Sequence, residues 1–166
     1  MATRLRAASL ALALVLSVGI SSAGLPAAAA APESAGVVTE PAPARGPTYT
    51  ADQRRVAQLV NDTRAANGKR RLILHPVLTR KAQQWAEHLA AINRLVHSTL
   101  TDGAPPNWLA LGENVGRGRT IAIVHVAFLN QPEHRVNILG RWNRIGTGVA
   151  TSASGRVFVV QVFMRI

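Results

Sequence analysis

Three short stretches are the most informative part of this chain: His97-Ser98, Gly112-Glu113-Asn114 and His134-Arg135-Val136-Asn137-Ile138-Leu139. Each places polar side chains next to a glycine, a proline or an abrupt change in hydrophobic period. Two imidazoles and one carboxylate in such positions can converge on a single cleft. The pattern therefore predicts a site that binds a metal or handles protons, with His97, Glu113 and His134 as its candidate residues.

The order of these stretches resembles the signature of the cysteine-rich secretory protein superfamily, also called the SCP or CAP domain. The upstream segment from Leu59 to Gly68 is similar to the opening helix of that domain. The resemblance extends from about Thr50 to Phe163. It implies an α/β fold, in which a three-layer α/β/α sandwich encloses a small, mainly antiparallel sheet.

The N-terminal part has the pattern of a secretory leader. Arg4 and Arg6 precede an apolar run from Ala7 to Ile20, and small residues follow, so residues 1–30 are interpreted as a signal peptide. The run is shorter than the roughly 20 residues that a bilayer requires. Residues 31–49 are rich in Ala and Pro and are expected to form a linker. The folded domain is then 50–166, and the protein is expected to be secreted.

The chain contains no cysteine. Disulfides are common in the animal and fungal members of the resembled family, so their absence favours a bacterial type of the domain. A lipoprotein anchor also requires a cysteine after the leader. We therefore expect an extracellular protein with neither a lipid anchor nor a transmembrane anchor.

The charge is strongly positive, with 19 Lys and Arg against 8 Asp and Glu and a net charge of +11. Most of these residues lie in the expected domain. Such a field attracts teichoic or nucleic acid polymers, acidic lipid headgroups and acidic proteins. The sequence has no nucleic-acid motif and no basic stripe interleaved with aromatics, so we expect adhesion to anionic surfaces without a specific nucleic-acid partner.

The hydrophobic periods predict helices first and a hairpin last. A capping box of Thr50 and Gln53 opens a helix over 51–66, and Pro76 opens a second helix. The apolar segment 120–129 could be helix or strand, and the resemblance favours a buried helix. Residues 133–139 suit a short helix, whereas 145–151 and 157–163 flank a four-residue loop and predict a hairpin.

Several polar residues also have plainer interpretations. His97 could be a histidine favoured by the C-terminal dipole of the second helix, and His134 could be a surface residue. His125, within the apolar segment, is interpreted as a hydrogen-bonded core histidine. The run Gly116 to Arg119 is interpreted as a solvated turn, with an anion-binding nest as the alternative.

The resemblance implies a cleft with two histidines and two glutamates that can take up zinc. His97, Glu113 and His134 match three of these four positions. The fourth is occupied by Gln131, which is neutral and cannot act as a base or an anionic ligand. Glu133 is two residues away and is a candidate to compensate. The resemblance therefore leaves two alternatives, a cleft that holds zinc or another divalent cation and a cleft that holds no cofactor.

Three functions remain as hypotheses. The first is a non-enzymatic binding module whose cleft recognises an extracellular lipid, envelope polymer or protein, with or without a metal. The second is a metal-assisted hydrolase of peptides or envelope polymers. The third is an adhesion module that uses its basic surface. No hydrolase motif accompanies the candidate residues, so the sequence favours binding over catalysis.

Overall fold

The computed structural model describes residues 46–166. The expected signal peptide (1–30) and most of the expected linker (31–49) lie outside the described residues. The described part contains four helices and four strands: α1 (Ala51–Ala66), β1 (Ile73–Leu74), α2 (Pro76–Ile92), β2 (Ala110–Gly118), α3 (Ile121–Asn130), α4 (Pro132–Leu139), β3 (Arg144–Thr151) and β4 (Val157–Arg165).

Helix α1 has the boundaries and the N-terminal cap that its sequence predicts. The Thr50 side chain accepts the N–H of Gln53, and the Gln53 side chain accepts the N–H of Thr50, which completes the capping box. At the other end, Gly68 has a φ of +66° and its N–H donates to Ala65. The N–H of Lys69 donates to the carbonyl of Arg64, so the helix ends in a Schellman motif.

The sheet has the strand order β1-β3-β4-β2. Strand β4 pairs antiparallel with both β3 and β2, whereas the short β1 pairs parallel with β3. The predicted hairpin is therefore confirmed, and β2 forms one edge of the sheet. The mainly antiparallel character of the sheet is confirmed as well.

Two apolar cores lie on opposite faces of the sheet. Helix α2 packs its predicted stripe, which includes Leu78, Ala82 and Leu89, against one face. Helices α1, α3 and α4 cover the other face, where Phe128 and Ile138 are fully or almost fully buried. This arrangement confirms the three-layer α/β/α sandwich.

Two glycines of β3 let the main chain of α2 approach the sheet closely. A Cβ atom at Gly146 would lie within 3.0 Å of the main chain of Leu78. A Cβ atom at Gly148 would lie equally close to the main chain of Ala82. Because main-chain atoms of a packed helix cannot rotate away as a side chain can, these positions admit glycine only.

Two local predictions require correction. Gly116 and Gly118 belong to β2 and pair with Val159 and Val157, so the predicted solvated turn is wrong. Helix α3 forms as predicted, but Ile123 and Val126 are more than half exposed, so only one of its faces is buried. Gly116 and Gly118 have no side chain, so side chains of α3 fill the space beside β2 that a Cβ atom at either position would need.

His125 lies on the buried face of α3, as predicted for a core histidine. Its Nε2 is 2.9 Å from the hydroxyl of Thr63. Its Nδ1 has no hydrogen-bond partner within the described residues, so the prediction of a satisfied histidine is only half correct. Burial is the main cause that lowers the pKa of His125, and nearby Arg55 lowers it further, against an opposing effect of Asp62.

Within residues 46–166, none of the helices combines the length and the apolar character that crossing a bilayer requires.

We predict that Gly146→Ala and Gly148→Ala each lower the free energy of unfolding by at least about 3 kcal/mol, because the methyl group has no space beside α2. Urea denaturation measures this loss. Gly46→Ala is the matched control, since a Cβ atom there meets nothing within 4 Å. Near-native stability of either strand variant would contradict the close approach of α2.

Candidate functional site

Glu113 is the central residue of the candidate site. It lies on β2 two residues before Val115, so its side chain shares the α2 face of the sheet. Its Oε1 accepts hydrogen bonds from Nδ1 of His97 at 2.8 Å and from the N–H of Ser98 at 2.9 Å. Its Oε2 accepts the Ser98 hydroxyl at 2.7 Å. The carboxylate is only 1% exposed, and these donors satisfy it in place of water.

His97 is held by Glu113 but faces the solvent. Its side chain is 62% exposed, in the segment that follows α2. Since a carboxylate can only accept, the hydrogen bond to Glu113 places a proton on Nδ1 of His97. In the neutral ring the lone pair is then on Nε2, which forms no hydrogen bond within the described residues. The geometry leaves this atom available to an external ligand.

His134 has a similar arrangement on the first turn of α4. Its Nδ1 lies 2.6 Å from the side-chain oxygen of Gln131, which accepts the proton of that nitrogen. The ring packs edge-on against Phe128 at a centroid distance of 4.9 Å. Gln131 thus takes no acidic role; it selects the tautomer of His134 and leaves Nε2 unprotonated.

The pKa of His134 is lowered from its ordinary value. Burial of the ring is the largest cause, because it penalises the imidazolium. The carboxylate of Glu133 acts in the opposite direction and raises the pKa, whereas the positive charge of His97 lowers it. Glu133 is therefore close enough to change the pKa of His134, and the charge on His97 also affects that pKa.

A network of buried amides attaches α4 to the other face of β2. Asn114 is fully buried, and its Nδ2 donates to the carbonyl of His134 and to Oε1 of Gln161, both at 3.1 Å. Asn137 donates from Nδ2 to the side-chain oxygen of Asn114 at 2.9 Å and to the carbonyl of Glu113 at 3.1 Å. The network fixes the position of the α4 turn that carries His134.

Two of the predicted site residues meet at the β2 edge of the sheet, where His97 arrives from the α2 side and contacts Glu113 directly. His134 lies on the α4 side of β2, and in the described part of the chain no hydrogen bond joins its ring to His97 or Glu113. Within residues 46–166, no three His, Asp or Glu side chains are grouped as the ligands of one metal ion. Coordination of one ion by His97, Glu113 and His134 together stays a prediction.

An open cavity of about 500 Å³ adjoins this site on the α2 side. Its lining includes Ser98, Lys81 and the stacked rings of Trp85 and His88. Lys81 donates to the carbonyls of Thr99 and Asp102, which holds the loop after His97 against α2. The site thus has a concave surface beside it that is large enough for a small ligand.

The sequence profile of the cysteine-rich secretory protein family, CAP, matches residues 57–163, which is more than half of the chain. The chain belongs to this family. Comparison with curated protein sequences found no match. The match begins within α1 and ends within β4, so it includes His97, Glu113 and His134.

Solved structures share the fold of this CAP domain at low sequence identity. An outer surface protein of Borrelia burgdorferi is 16% identical with a TM-score of 0.62, covering 68% of this chain and 90% of that one. Venom allergen-like protein 4 of Schistosoma mansoni is 14% identical with a TM-score of 0.58, covering 70% and 90%. An extracellular SCP-domain protein of Bacillus anthracis is 20% identical with a TM-score of 0.60, covering 69% of this chain but only 40% of that one.

The sequence pattern does not predict the amide network of the CAP domain. Asn114 and Asn137 lie inside the stretches Gly112-Glu113-Asn114 and His134 to Leu139, but their spacing indicates no partner for either. Gln161 offered one signal, because it is a single polar residue between Val159-Val160 and Val162-Phe163 in an apolar strand. A polar side chain in such a strand must find a buried partner.

We predict that Asn114→Ala lowers the free energy of unfolding by about 1–3 kcal/mol, because Gln161, Asn137 and the His134 carbonyl each lose a buried partner. Urea denaturation measures the change. Asn107→Ala, in the exposed loop before β2, is the matched control. Equal stability of the two variants would contradict the structural role of Asn114.

We predict that His134 titrates below the ordinary histidine pKa of about 6.5, so its ring is neutral at neutral pH. Its contribution to stability is then present above about pH 6.5 and is lost as the pH falls toward the lowered pKa. NMR titration of the ring protons measures this pKa.

Glu133→Gln should lower the pKa of His134 further, since it removes a negative charge that favours the imidazolium. The matched control is Glu87→Gln on α2, which removes the same charge from a different helix. A rise in the His134 pKa on Glu133→Gln would refute the assigned sign.

Proposed function

We propose that this protein is a secreted CAP-domain binding module whose ligand site lies at His97 and His134. The family is mostly extracellular, and the names of two structural neighbours describe an outer surface protein and an extracellular protein. The leader pattern of residues 1–30 supports export. The site and its adjoining cavity supply a concave, partly polar surface of the kind that small ligands occupy.

The proposal rests on the hydrogen bonds that orient the two imidazole rings. Each ring donates its Nδ1 proton to a side-chain oxygen, one on Glu113 and the other on Gln131. Metal-binding histidines commonly have this arrangement, since it fixes the tautomer and directs Nε2 toward the ion. Imidazole nitrogens are ligands that a divalent cation accepts, and water or an external ligand would complete its coordination.

A bound cation would supply positive charge for an anionic or carbonyl-bearing ligand. Glu113 would then act as a positioning residue, because it orients His97 and its oxygens already accept three hydrogen bonds. Burial lowers the pKa of His134 and so favours the neutral ring, and the neutral imidazole is the form that binds metals. The extracellular ligand itself, whether lipid, envelope polymer or protein, stays a prediction.

The same contacts favour binding over hydrolysis. A hydrolytic site needs a base free to take a proton from water or from a nucleophile. Glu113 is shielded, Gln131 is neutral, and the Ser98 hydroxyl donates to Glu113 rather than to an imidazole. Glu133 is the remaining acid near His134, and its effect on that ring is electrostatic.

Isothermal titration of the full chain with zinc chloride tests the proposal. We expect uptake in the micromolar range or tighter for the wild-type protein, and no heat of zinc binding for the His97→Ala, His134→Ala double variant. The reason is that Nε2 of these two rings provides the only ligands in the proposed site. His88→Ala is the matched control, because it removes an exposed histidine that lines the adjoining cavity but is not a proposed zinc ligand, and it should bind zinc as the wild type does.

Unchanged zinc binding by the double variant would remove the metal from the proposal. Thermal unfolding of each variant without zinc verifies that the substitutions leave the fold intact, since His97 is mostly exposed and His134 is partly exposed. A zinc-dependent peptidase or polymer-cleaving activity that Glu113→Gln abolishes would instead favour the hydrolase.

A further inference from the structure

A second concave surface, separate from the His/Glu site, lies where α1, α4 and β4 end. It is a cavity of about 480 Å³, here called the basic cavity. Five cationic side chains line it, and no Asp or Glu does: Arg64, Lys69, Arg70, Arg141 and Arg165. Like charges placed together repel one another, so a cluster of five cations around one cavity is unfavourable unless an anion binds there.

These cations have no acidic partners within the described residues. The ion pairs there are Arg71 with Asp62, and His97 with Glu113, neither of which includes a residue of the basic cavity. Lys69, Arg70, Arg141 and Arg165 are all exposed. Their charges are therefore available to an external anion.

Arg64 differs from the other four because it is only 2% exposed. Its guanidinium donates to the carbonyls of Arg70, Ile138 and Gly140 at 2.7–2.9 Å. These dipoles stabilise the buried charge without neutralising it, and burial lowers the pKa of Arg64. A full positive charge thus lies at the inner wall of the cavity.

The walls of the basic cavity are built from fixed main chain. The Schellman motif at Gly68 sets the direction in which Lys69 and Arg70 leave α1. Asn143 binds both the N–H and the C=O of Ile166 through its amide, at 3.1 and 2.8 Å. Trp142 is anchored by a 2.7 Å hydrogen bond to the Asn137 carbonyl and adds a partly exposed aromatic surface.

We infer that the basic cavity binds a multiply phosphorylated, soluble anion. Guanidinium groups match the oxygens of phosphate in paired hydrogen bonds, and four of the five cations are arginines. The volume exceeds that of one phosphate and falls within the range of small-molecule sites. Its concave form suits a compact group of phosphates rather than a flat membrane surface.

Calorimetric titration of the full chain with sodium tripolyphosphate tests this inference, in EDTA so that the metal site does not contribute. The diagnostic variant is Lys69→Gln, Arg141→Gln, Arg165→Gln, which leaves the buried Arg64 in place. The matched control is Arg94→Gln, Arg119→Gln, Arg156→Gln, which removes the same charge from exposed positions outside the cavity.

We expect the cavity variant to lose at least about tenfold in affinity, and the control variant to lose less than about threefold, because its effect is limited to the general field of the protein. Inorganic orthophosphate should bind more weakly than tripolyphosphate. The His97→Ala, His134→Ala variant should bind tripolyphosphate as the wild type does, so a failure of the metal site leaves this inference standing.

Equal losses in the two triple variants would overturn the inference, since only net charge would then matter. Absence of tripolyphosphate binding would also overturn it. Vesicles of phosphatidylcholine with phosphatidylglycerol provide the comparison arm. Cavity-dependent binding to these vesicles, without binding to tripolyphosphate, would assign the surface to lipid headgroups and reject the soluble anion.

Discussion

The close contact between the main chain of α2 and strand β3 is the constraint on which the rest of the structure depends. Gly146 and Gly148 leave the α2 face of β3 without side chains, so the helix lies directly on the strand. Gly116 has a similar role on the opposite face of β2, where Phe128 and Val124 occupy the space that a Cβ atom would need. Because helices pack closely against both faces of the sheet, the segment after α2 and the first turn of α4 both reach the β2 edge.

The alternation of side chains along β2 then divides the site between the two faces. Glu113 is directed toward α2 and holds His97, whereas Asn114 is directed toward α4 and holds the turn that carries His134. Two adjacent residues thereby position two imidazoles from opposite sides. Both residues are buried and hydrogen-bonded, so the polar groups that orient the site also stabilise the packing around it.

Two separate regions of the domain surface have distinct groups of polar side chains, the His/Glu site and the basic cavity. The His/Glu site contains two imidazole rings held by side-chain oxygens, and a lowered pKa keeps His134 in the form that binds cations. The basic cavity lies where helices α1 and α4 end, and its charges have no acidic partners in residues 46–166. Five of the cationic side chains thus line one concave surface, while other cations lie elsewhere on the domain.

The boundaries of α1 and the hairpin of β3 and β4 could be predicted from the sequence, because caps, turns and hydrophobic periods act over a few neighbouring residues. The family could be predicted from the order of three short stretches, and the same stretches predict His97, Glu113 and His134 as site residues. Three features required the folded structure: Gly116 lies in a strand, Gln131 sets the tautomer of His134, and Gln161 supports Asn114. Asn114 and Gln161 are 47 residues apart, so only packing brings them into contact and local patterns cannot specify the pair. Gln131 and His134 are only 3 residues apart, but their spacing alone does not specify the side-chain orientations that bring the Gln131 oxygen to Nδ1 of His134.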